Sequence, residues 1–161
     1  MKSFTPFLLA GALLFAMPVF AQDAASSSAN TNTEILIQKI KADKKLLVAS
    51  NMELTDAEGK KFWPLYDAYQ KELGKLNLRL GKVIQEYADA YNKGSVPNDT
   101  AKKLLKESLA IDEAELKLRK TSADKIGKVL SATKTARYIQ IENKIRTVLR
   151  MELAENIPLV Y

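Results

Sequence analysis

Leu54-Thr55-Asp56-Ala57-Glu58, followed by Phe62-Trp63-Pro64-Leu65-Tyr66, opens the stretch that decides the fold of this chain. From Phe62 onward, the apolar residues recur at alternating steps of four and three. They are Phe62, Tyr66, Tyr69, Leu73, Leu76, Leu80, Val83, Tyr87 and Ala90. This spacing places an apolar seam along one face of a helix and predicts that a second helix packs lengthwise against it.

The start of this helix has the pattern of a capping box. Thr55 is the predicted N-cap, and Glu58 stands three residues later, where its carboxylate reaches back to the N-cap amide. Leu54 precedes the cap, at the position whose side chain usually contacts the residue at 59. Because Gly59 has no side chain, we expect Leu54 to contact Phe62 instead.

The body of the helix, predicted to reach about residue 92, carries two further signals. Pro64 lies inside it and predicts a kink that costs about 3 kcal/mol unless packing compensates. Gly74, Gly81 and Ala88 recur every seven residues, in step with the seam. We interpret them as a stripe that lets another backbone approach closely, rather than as glycines that are merely tolerated.

Three more helices are predicted from apolar periodicity and turn signals. The first covers about 34–50, the third about 99–130 after a break at 93–99 that contains Gly, Pro, Asn and Asp, and the fourth begins at Ser131 and is ended by Pro158. The predicted fold class is therefore all-α, with four helices, a long antiparallel helical hairpin and kinked long helices. The apolar tail at 157–161 is predicted to fold back on the bundle.

The amino terminus has the features of a secretory signal. Lys2 precedes an apolar run, and Val19-Phe20-Ala21 places short residues where cleavage would occur. A transmembrane anchor is the competing interpretation, but the run is short and contains Pro6, Gly11 and Pro18. We expect a cleaved signal at 1–21, a flexible leader at 22–32 and one helical domain at 33–161. The predicted location is periplasmic or secreted, with no stable membrane insertion of the mature chain.

The composition excludes several classes of function. The chain has no cysteine and no histidine, so disulfides and histidine-dependent catalytic triads are excluded, and we expect no cofactor or metal. Paired carboxylates such as Asp112, Glu113 and Glu115 are ordinarily solvated on a charged helix, so we predict that the protein is not an enzyme.

The charge balance favours acidic partners. Without Lys2 there are 24 basic residues (25 minus 1) against 19 acidic ones, a net charge of +5. Such a charge attracts negatively charged chains over a distance. The basic residues are spread along the sequence without a recognition motif, so nucleic acid is not an expected partner.

Two helix starts resemble each other and, together, a known family. Leu54-Thr55-Asp56-Ala57-Glu58 is echoed by Leu130-Ser131-Ala132-Thr133-Lys134, each with a leucine followed by a hydroxyl cap. With the predicted signal and the absence of cysteine, this pattern resembles the CpxP/Spy-like periplasmic family and its LTxxQ motifs, over about 54–153. Glu58 and Lys134 stand where the motif has glutamine.

The resemblance implies long bent helices that assemble as a cradle-shaped homodimer. It implies that the protein holds unfolded or partly folded proteins without ATP, or acts as a periplasmic stress adaptor. Clients would bind on a basic, partly apolar concave face. Metal binding through histidine, known for some relatives, does not carry over to a chain without histidine.

The best local match to such a face lies on the second helix. Four basic residues at steps of four, four and three flank three leucines of the seam: Lys71, Lys75, Arg79 and Lys82 beside Leu73, Leu76 and Leu80. A merely solvated face, with Glu72 and Glu86 nearby, stays open as the alternative.

A second function also stays open. The protein would be a structural or regulatory helix-bundle module that recognises one envelope partner, such as a membrane sensor. The aromatic residues Phe62, Trp63 and Tyr66 or the apolar tail would then carry the recognition, although core packing is the favoured role of the aromatics.

Overall fold

The structure, a computed structural model, describes residues 43–160, which form four helices and no strand. Helix α1 is described from 43 to 52, α2 spans Asp56–Asn92, α3 spans Asn98–Ile126 and α4 spans Ala132–Asn156. The prediction of an all-α fold with four helices is confirmed. The predicted signal, the predicted leader and the first part of the predicted first helix lie outside the described residues.

The capping box at the start of α2 is present as predicted. The Thr55 hydroxyl accepts a hydrogen bond from the Glu58 amide at 3.3 Å, and the Glu58 carboxylate accepts one from the Thr55 amide at 2.8 Å. Leu54 is half-buried against the aromatic cluster to which Phe62 belongs. Helix α2 continues without interruption across Pro64, and a bend at that residue remains a prediction.

The two similar helix starts contact each other in space. Ser131 caps α4 by accepting a hydrogen bond from the Lys134 amide at 3.2 Å. The Lys134 ammonium then donates to the Glu58 carboxylate at 2.6 Å and to the Glu53 carbonyl oxygen at 3.0 Å. The hydrogen bond from Lys134 and the one from the Thr55 amide lower the pKa of Glu58 to about 2. Glu58 and Lys134 therefore form an ion pair that joins the starts of α2 and α4.

The turns set the lengths of the helices. Gly94 adopts a φ of 108° in the reversal between α2 and α3, a conformation that favours glycine. Helix α3 ends at Ile126, four residues before the predicted end at 130. The chain turns there because the amides of Gly127 and Leu130 donate to the carbonyls of Ala123 and Ile126, and this turn brings Leu130 into the core.

A cluster of aromatic and aliphatic side chains joins all four helices. Its buried members are Val48, Met52, Phe62, Tyr66, Tyr69, Ile126, Leu130, Tyr138 and Ile145. The fully buried ring of Tyr138 contacts three rings of α2, with centroid distances of 5.1 Å to Phe62, 6.2 Å to Tyr66 and 6.3 Å to Tyr69. Phe62 and Tyr66 thus have the core role that was favoured for them.

The opposite end of the hairpin has a smaller cluster formed by Ile84, Tyr87, Ala88 and Leu104. Ile157 packs against it, and the Tyr87 hydroxyl donates to the Pro158 carbonyl at 2.9 Å. Beyond that bond the apolar side chains are not buried, since Leu159 is 84% exposed and Val160 is 56% exposed. The predicted return of the tail is correct for 157–158 and wrong for 159–160, and Tyr161 lies outside the described residues.

Helices α2 and α3 form the predicted antiparallel hairpin. Arg79 pairs with Glu107 at 2.9 Å, and Lys103 pairs with Glu86 at 2.6 Å. Residue numbers along α3 therefore decrease as those along α2 increase, as expected for antiparallel helices. By contrast, no Cα atom of α4 lies within 8 Å of a Cα atom of α2. Helix α4 contacts α2 through long side chains, which leaves space between the two backbones.

Candidate binding groove

That space forms a groove of about 180 Å³ between α2 and α4, beside the aromatic cluster. Large rings separate the two helices at the Tyr138 end, and the smaller side chains farther along α2 do not fill the gap. The apolar lining consists of Leu73, Leu80 and Ile84 from α2 and of Ile145, Leu149 and Leu153 from α4. We call this feature the α2–α4 groove.

Two glycines open the wall of the groove on the α2 side. Gly74 and Gly81 line it, and a Cβ atom added to either residue would meet no atom of residues 43–160 within 4 Å, apart from its own helical neighbours. Among the described residues no backbone packs closely on either glycine, and the close approach predicted for this stripe stays a prediction. Ala88, the third member of the predicted stripe, is fully buried in the smaller cluster.

The opposite wall carries arginines that are held in place by acidic residues of α3. Arg146 and Arg150 both bind the buried Glu115 carboxylate, and Arg150 also binds Asp112. Partial burial by itself would lower the pKa of Arg150, but the hydrogen bonds to Asp112 and Glu115 outweigh this effect and raise it. The Arg150 guanidinium therefore stays charged at the edge of an apolar groove.

One end of the groove is closed by α1. The Lys44 ammonium donates to Glu142 at 2.8 Å and to Gln70 at 3.0 Å, and the Gln70 amide donates to the other oxygen of Glu142 at 2.9 Å. Glu142 is only 4% exposed, and both its oxygens are hydrogen-bonded. This network joins α1, α2 and α4, and the described part of α1 begins one residue before Lys44.

The structure separates the residues of the predicted client-binding face. Leu73 and Leu80 line the groove, whereas Leu76 is half-buried outside its lining. Lys75 pairs with Glu72 at 2.7 Å, and Arg79 pairs with Glu107. Lys71 and Lys82 are exposed on the outer side of α2.

The sequence interpretation missed Leu78 and the whole contribution of α4. Leu78 is 56% exposed and lies one helical turn from both Gly74 and Lys82. Leu78 does not belong to the apolar seam, so the four-and-three spacing of that seam did not indicate it. On α4, arginines at 146 and 150 alternate with Leu149 and Leu153, and this mixed basic and apolar pattern was the signal that would have indicated the second wall.

The paired carboxylates that were considered for catalysis differ in their contacts. Asp112 and Glu115 are bound by arginines, and Glu113 is exposed. Residues 43–160 contain no group of three or more acidic residues placed to hold a metal ion. None of the described helices has the length and apolar content needed to cross a membrane.

Comparison of the chain with protein-family models, curated proteins and solved structures finds no match. The resemblance to the CpxP/Spy-like family therefore remains a prediction that rests on the two helix starts.

Proposed function

We propose that the protein is an ATP-independent, chaperone-like or stress-adaptor protein of the periplasm, which binds apolar segments of unfolded or partly folded proteins in the α2–α4 groove. The observation that carries the proposal is the groove itself, with leucines and isoleucines along its length and Arg146 and Arg150 at its edge.

The chemistry of the groove defines the clients. Removing apolar side chains from water stabilises a complex by about 25 cal/mol per Å² of buried area, and an elongated groove between two helices suits a short apolar segment. Guanidinium groups bind carboxylates with defined geometry, so acidic residues beside the apolar ones strengthen the complex. The predicted basic residues Lys71, Lys75 and Lys82 act mainly by long-range attraction, which accelerates encounter with acidic chains.

The proposal is tested by suppression of aggregation of a chemically unfolded client at near-stoichiometric ratios. The wild-type protein is expected to delay aggregation. Leu80→Asp and Leu149→Asp, each of which places a charge in the groove, are expected to lose at least half of this protection. Leu109→Asp is the matched control, because Leu109 is 58% exposed on α3 and does not line the groove. No delay by the folded wild-type protein, or equal losses in all three variants, would contradict the proposal.

One observation favours the second function, a bundle that recognises one folded envelope partner. Three leucines of α3, namely Leu105, Leu109 and Leu116, are exposed on one side of the helix, and exposed apolar surface often marks an interaction site. Under this alternative, a pull-down recovers one stoichiometric partner and Leu109→Asp abolishes the recovery. Recovery of many unrelated unfolded chains that does not depend on Leu109 supports the first function. The homodimer implied by the resemblance is checked separately by solution mass.

A further inference from the structure

The outer side of α3 carries a row of leucines that takes no part in the core. Leu105, Leu109 and Leu116 are 61%, 58% and 41% exposed, and none of them belongs to the two apolar clusters described above or lines the α2–α4 groove. Steps of four and seven residues place the three leucines on one side of the helix, and the eleven steps from Leu105 to Leu116 span about 16 Å along its axis. A single exposed leucine is ordinary, whereas a row of three marks an interaction site.

Exposed lysines accompany these leucines at helical spacing. Each leucine has such a lysine within one helical turn, either three residues before it or four residues after it. The three pairs are Lys102 with Leu105, Lys106 with Leu109, and Lys120 with Leu116.

Two carboxylates lie at the same spacing from Leu109 and Leu116. Asp112 is bound by Arg150, so its charge is already compensated. Glu113 is exposed. Three lysines and one uncompensated glutamate leave this side of α3 with a net positive charge.

We propose that this side of α3 docks reversibly on the surface of an anionic phospholipid bilayer. We call it the outer α3 face, formed by the three leucines and their three lysines. Leu104 and Ile111, on the opposite side of the helix, are buried in the bundle, so α3 lies on the bilayer and does not cross it. The inference goes beyond the proposed function, because lipid and client use different residues.

The charge of the outer α3 face is complementary to that of an anionic bilayer. Lysine and leucine on one face are typical of helices that lie in the plane of a membrane interface. The four-carbon stem of a lysine lies along apolar surface while its ammonium group stays in water, at the level of the lipid phosphates. A lysine close to an anionic surface strengthens binding by about fivefold.

The composition of the outer α3 face favours a bilayer over a protein partner. The residues that dominate protein–protein binding are enriched in tryptophan, tyrosine and arginine, and leucine is under-represented among them. Helix α3 contains no aromatic residue, and its one arginine, Arg119, donates to Asn143 at 3.0 Å. A row of leucines needs only a fluid apolar layer, which has no fixed shape to match.

A fluorophore placed on the outer α3 face tests the contact directly, since the natural chain has no cysteine. In the full chain, Leu116→Cys labelled with nitrobenzoxadiazole is expected to gain at least about threefold in emission when vesicles of phosphatidylglycerol and phosphatidylcholine are added. Vesicles of phosphatidylcholine alone are expected to give little gain. Ser50→Cys with the same label is the control, because Ser50 is exposed on α1 beside Arg137 of α4. Equal gains at the two positions, or with the two kinds of vesicle, overturn the proposal.

Matched variants of the labelled protein test the leucines and the lysines separately. Leu109→Asp is expected to weaken binding to the anionic vesicles at least about tenfold. Leu46→Asp is its control, since Leu46 is 65% exposed on α1, and is expected to leave binding unchanged. Lys106→Glu combined with Lys120→Glu is expected to weaken binding at least about twentyfold. Equal weakening by Leu109→Asp and Leu46→Asp overturns the proposal.

A second charge-reversed pair provides the control for the lysines. Lys60→Glu combined with Lys61→Glu makes the same change in net charge at exposed positions of α2 and is expected to weaken binding less than about threefold. Equal weakening by the two pairs would mean that only the overall charge matters, and it overturns the assignment to the outer α3 face.

Glu113→Gln keeps the test valid even where the other variants fold poorly. Removing the repelled carboxylate is expected to strengthen binding by about fivefold, and a misfolding artefact does not produce a charge-dependent gain. Raising the salt concentration from about 0.1 M to about 1 M is expected to abolish that gain, because the screening length falls from about 10 Å to about 3 Å. Unchanged or weaker binding by folded Glu113→Gln overturns the proposal.

Other occupants of the outer α3 face give different results. One stoichiometric protein partner lost in Leu109→Asp, or a solution mass of two chains that falls to one in Leu109→Asp, overturns the proposal when the vesicles give no emission gain. The proposed function fails independently, since aggregation suppression is measured without lipid and depends on Leu80 and Leu149 of the groove.

Discussion

Glu58 links two helix starts through a single carboxylate. It receives hydrogen bonds from the Thr55 amide and from Lys134, and these bonds lower its pKa from 4.5 to about 2. A carboxylate with a lowered pKa stabilises the folded state at pH values above its unfolded pKa, and this contribution is lost as the pH falls from about 4.5 toward 2.

Glu58→Gln is therefore expected to lower the free energy of unfolding at pH 7 and to reduce the loss of stability between pH 5 and pH 2. Denaturant unfolding across this range measures both effects. Glu53→Gln serves as the control, because the Glu53 side chain is 78% exposed and only contacts Arg137 at 3.3 Å. If the free energy of unfolding of Glu58→Gln falls as steeply between pH 5 and pH 2 as that of the wild-type protein, the ion pair does not have this role.

Two tyrosines with opposite hydrogen-bonding situations allow a matched comparison. The buried Tyr138 hydroxyl has no hydrogen-bond partner among the described residues, whereas the Tyr87 hydroxyl donates to Pro158. Burial raises the pKa of Tyr138, so this hydroxyl stays neutral. An unpaired buried polar group costs about 1 to 3 kcal/mol.

Tyr138→Phe is thus expected to be neutral or to stabilise the protein by about 1 kcal/mol, and Tyr87→Phe to destabilise it by about 1 kcal/mol. Thermal and denaturant unfolding of both variants measure the difference. A larger loss in Tyr138→Phe than in Tyr87→Phe would show that the Tyr138 hydroxyl has a stabilising role.

At the scale of the helices, Pro64 is the residue that most clearly lowers the stability of its own helix. It lies inside α2 without an amide hydrogen to donate, and its ring is exposed. Because little packing is lost with the ring, Pro64→Ala is expected to raise the free energy of unfolding, by up to about 3 kcal/mol. Urea unfolding measures the change. A decrease in stability would mean that the position of Phe62 and Tyr66 in the core depends on a bend at the proline.

The helices themselves were largely predictable, and their side-chain partners were not. Thr55 and Ser131 act locally, so the sequence alone identified where α2 and α4 begin. The end of α3 was placed four residues too late, because Val129 and Leu130 continue an apolar pattern while the backbone has already turned at Gly127. Apolar periodicity indicates which residues are buried, but it does not distinguish a buried helical residue from a buried turn residue.

At the scale of the whole molecule, the sequence indicated one wall of the groove and missed the other. Leu73 and Leu80 were identified from the seam, but nothing local predicts that α4 stays apart from α2 while Tyr138 bridges them. The pairing of Arg146 and Arg150 with Glu115 joins positions more than 30 residues apart, which helical periodicity does not encode. Gly74 and Gly81 of the predicted stripe lie on the wall of the groove, and no described backbone packs on them.

The bond between Lys134 and Glu58 also has a consequence for the order of folding. Helices α2 and α3 are joined by the short turn at 93–97, whereas this bond and the contacts of Tyr138 close a loop of 76 residues. By the length dependence of loop closure, the longer loop costs about 2 kcal/mol more in chain entropy. We therefore expect the α2–α3 hairpin to form first and α4 to dock last and detach first.

Native-state hydrogen exchange is expected to show faster opening of α4 amides than of those in the centre of α2, and equal rates would mean that the bundle opens only as one unit. The walls of the groove would then be the first parts of the folded chain to separate.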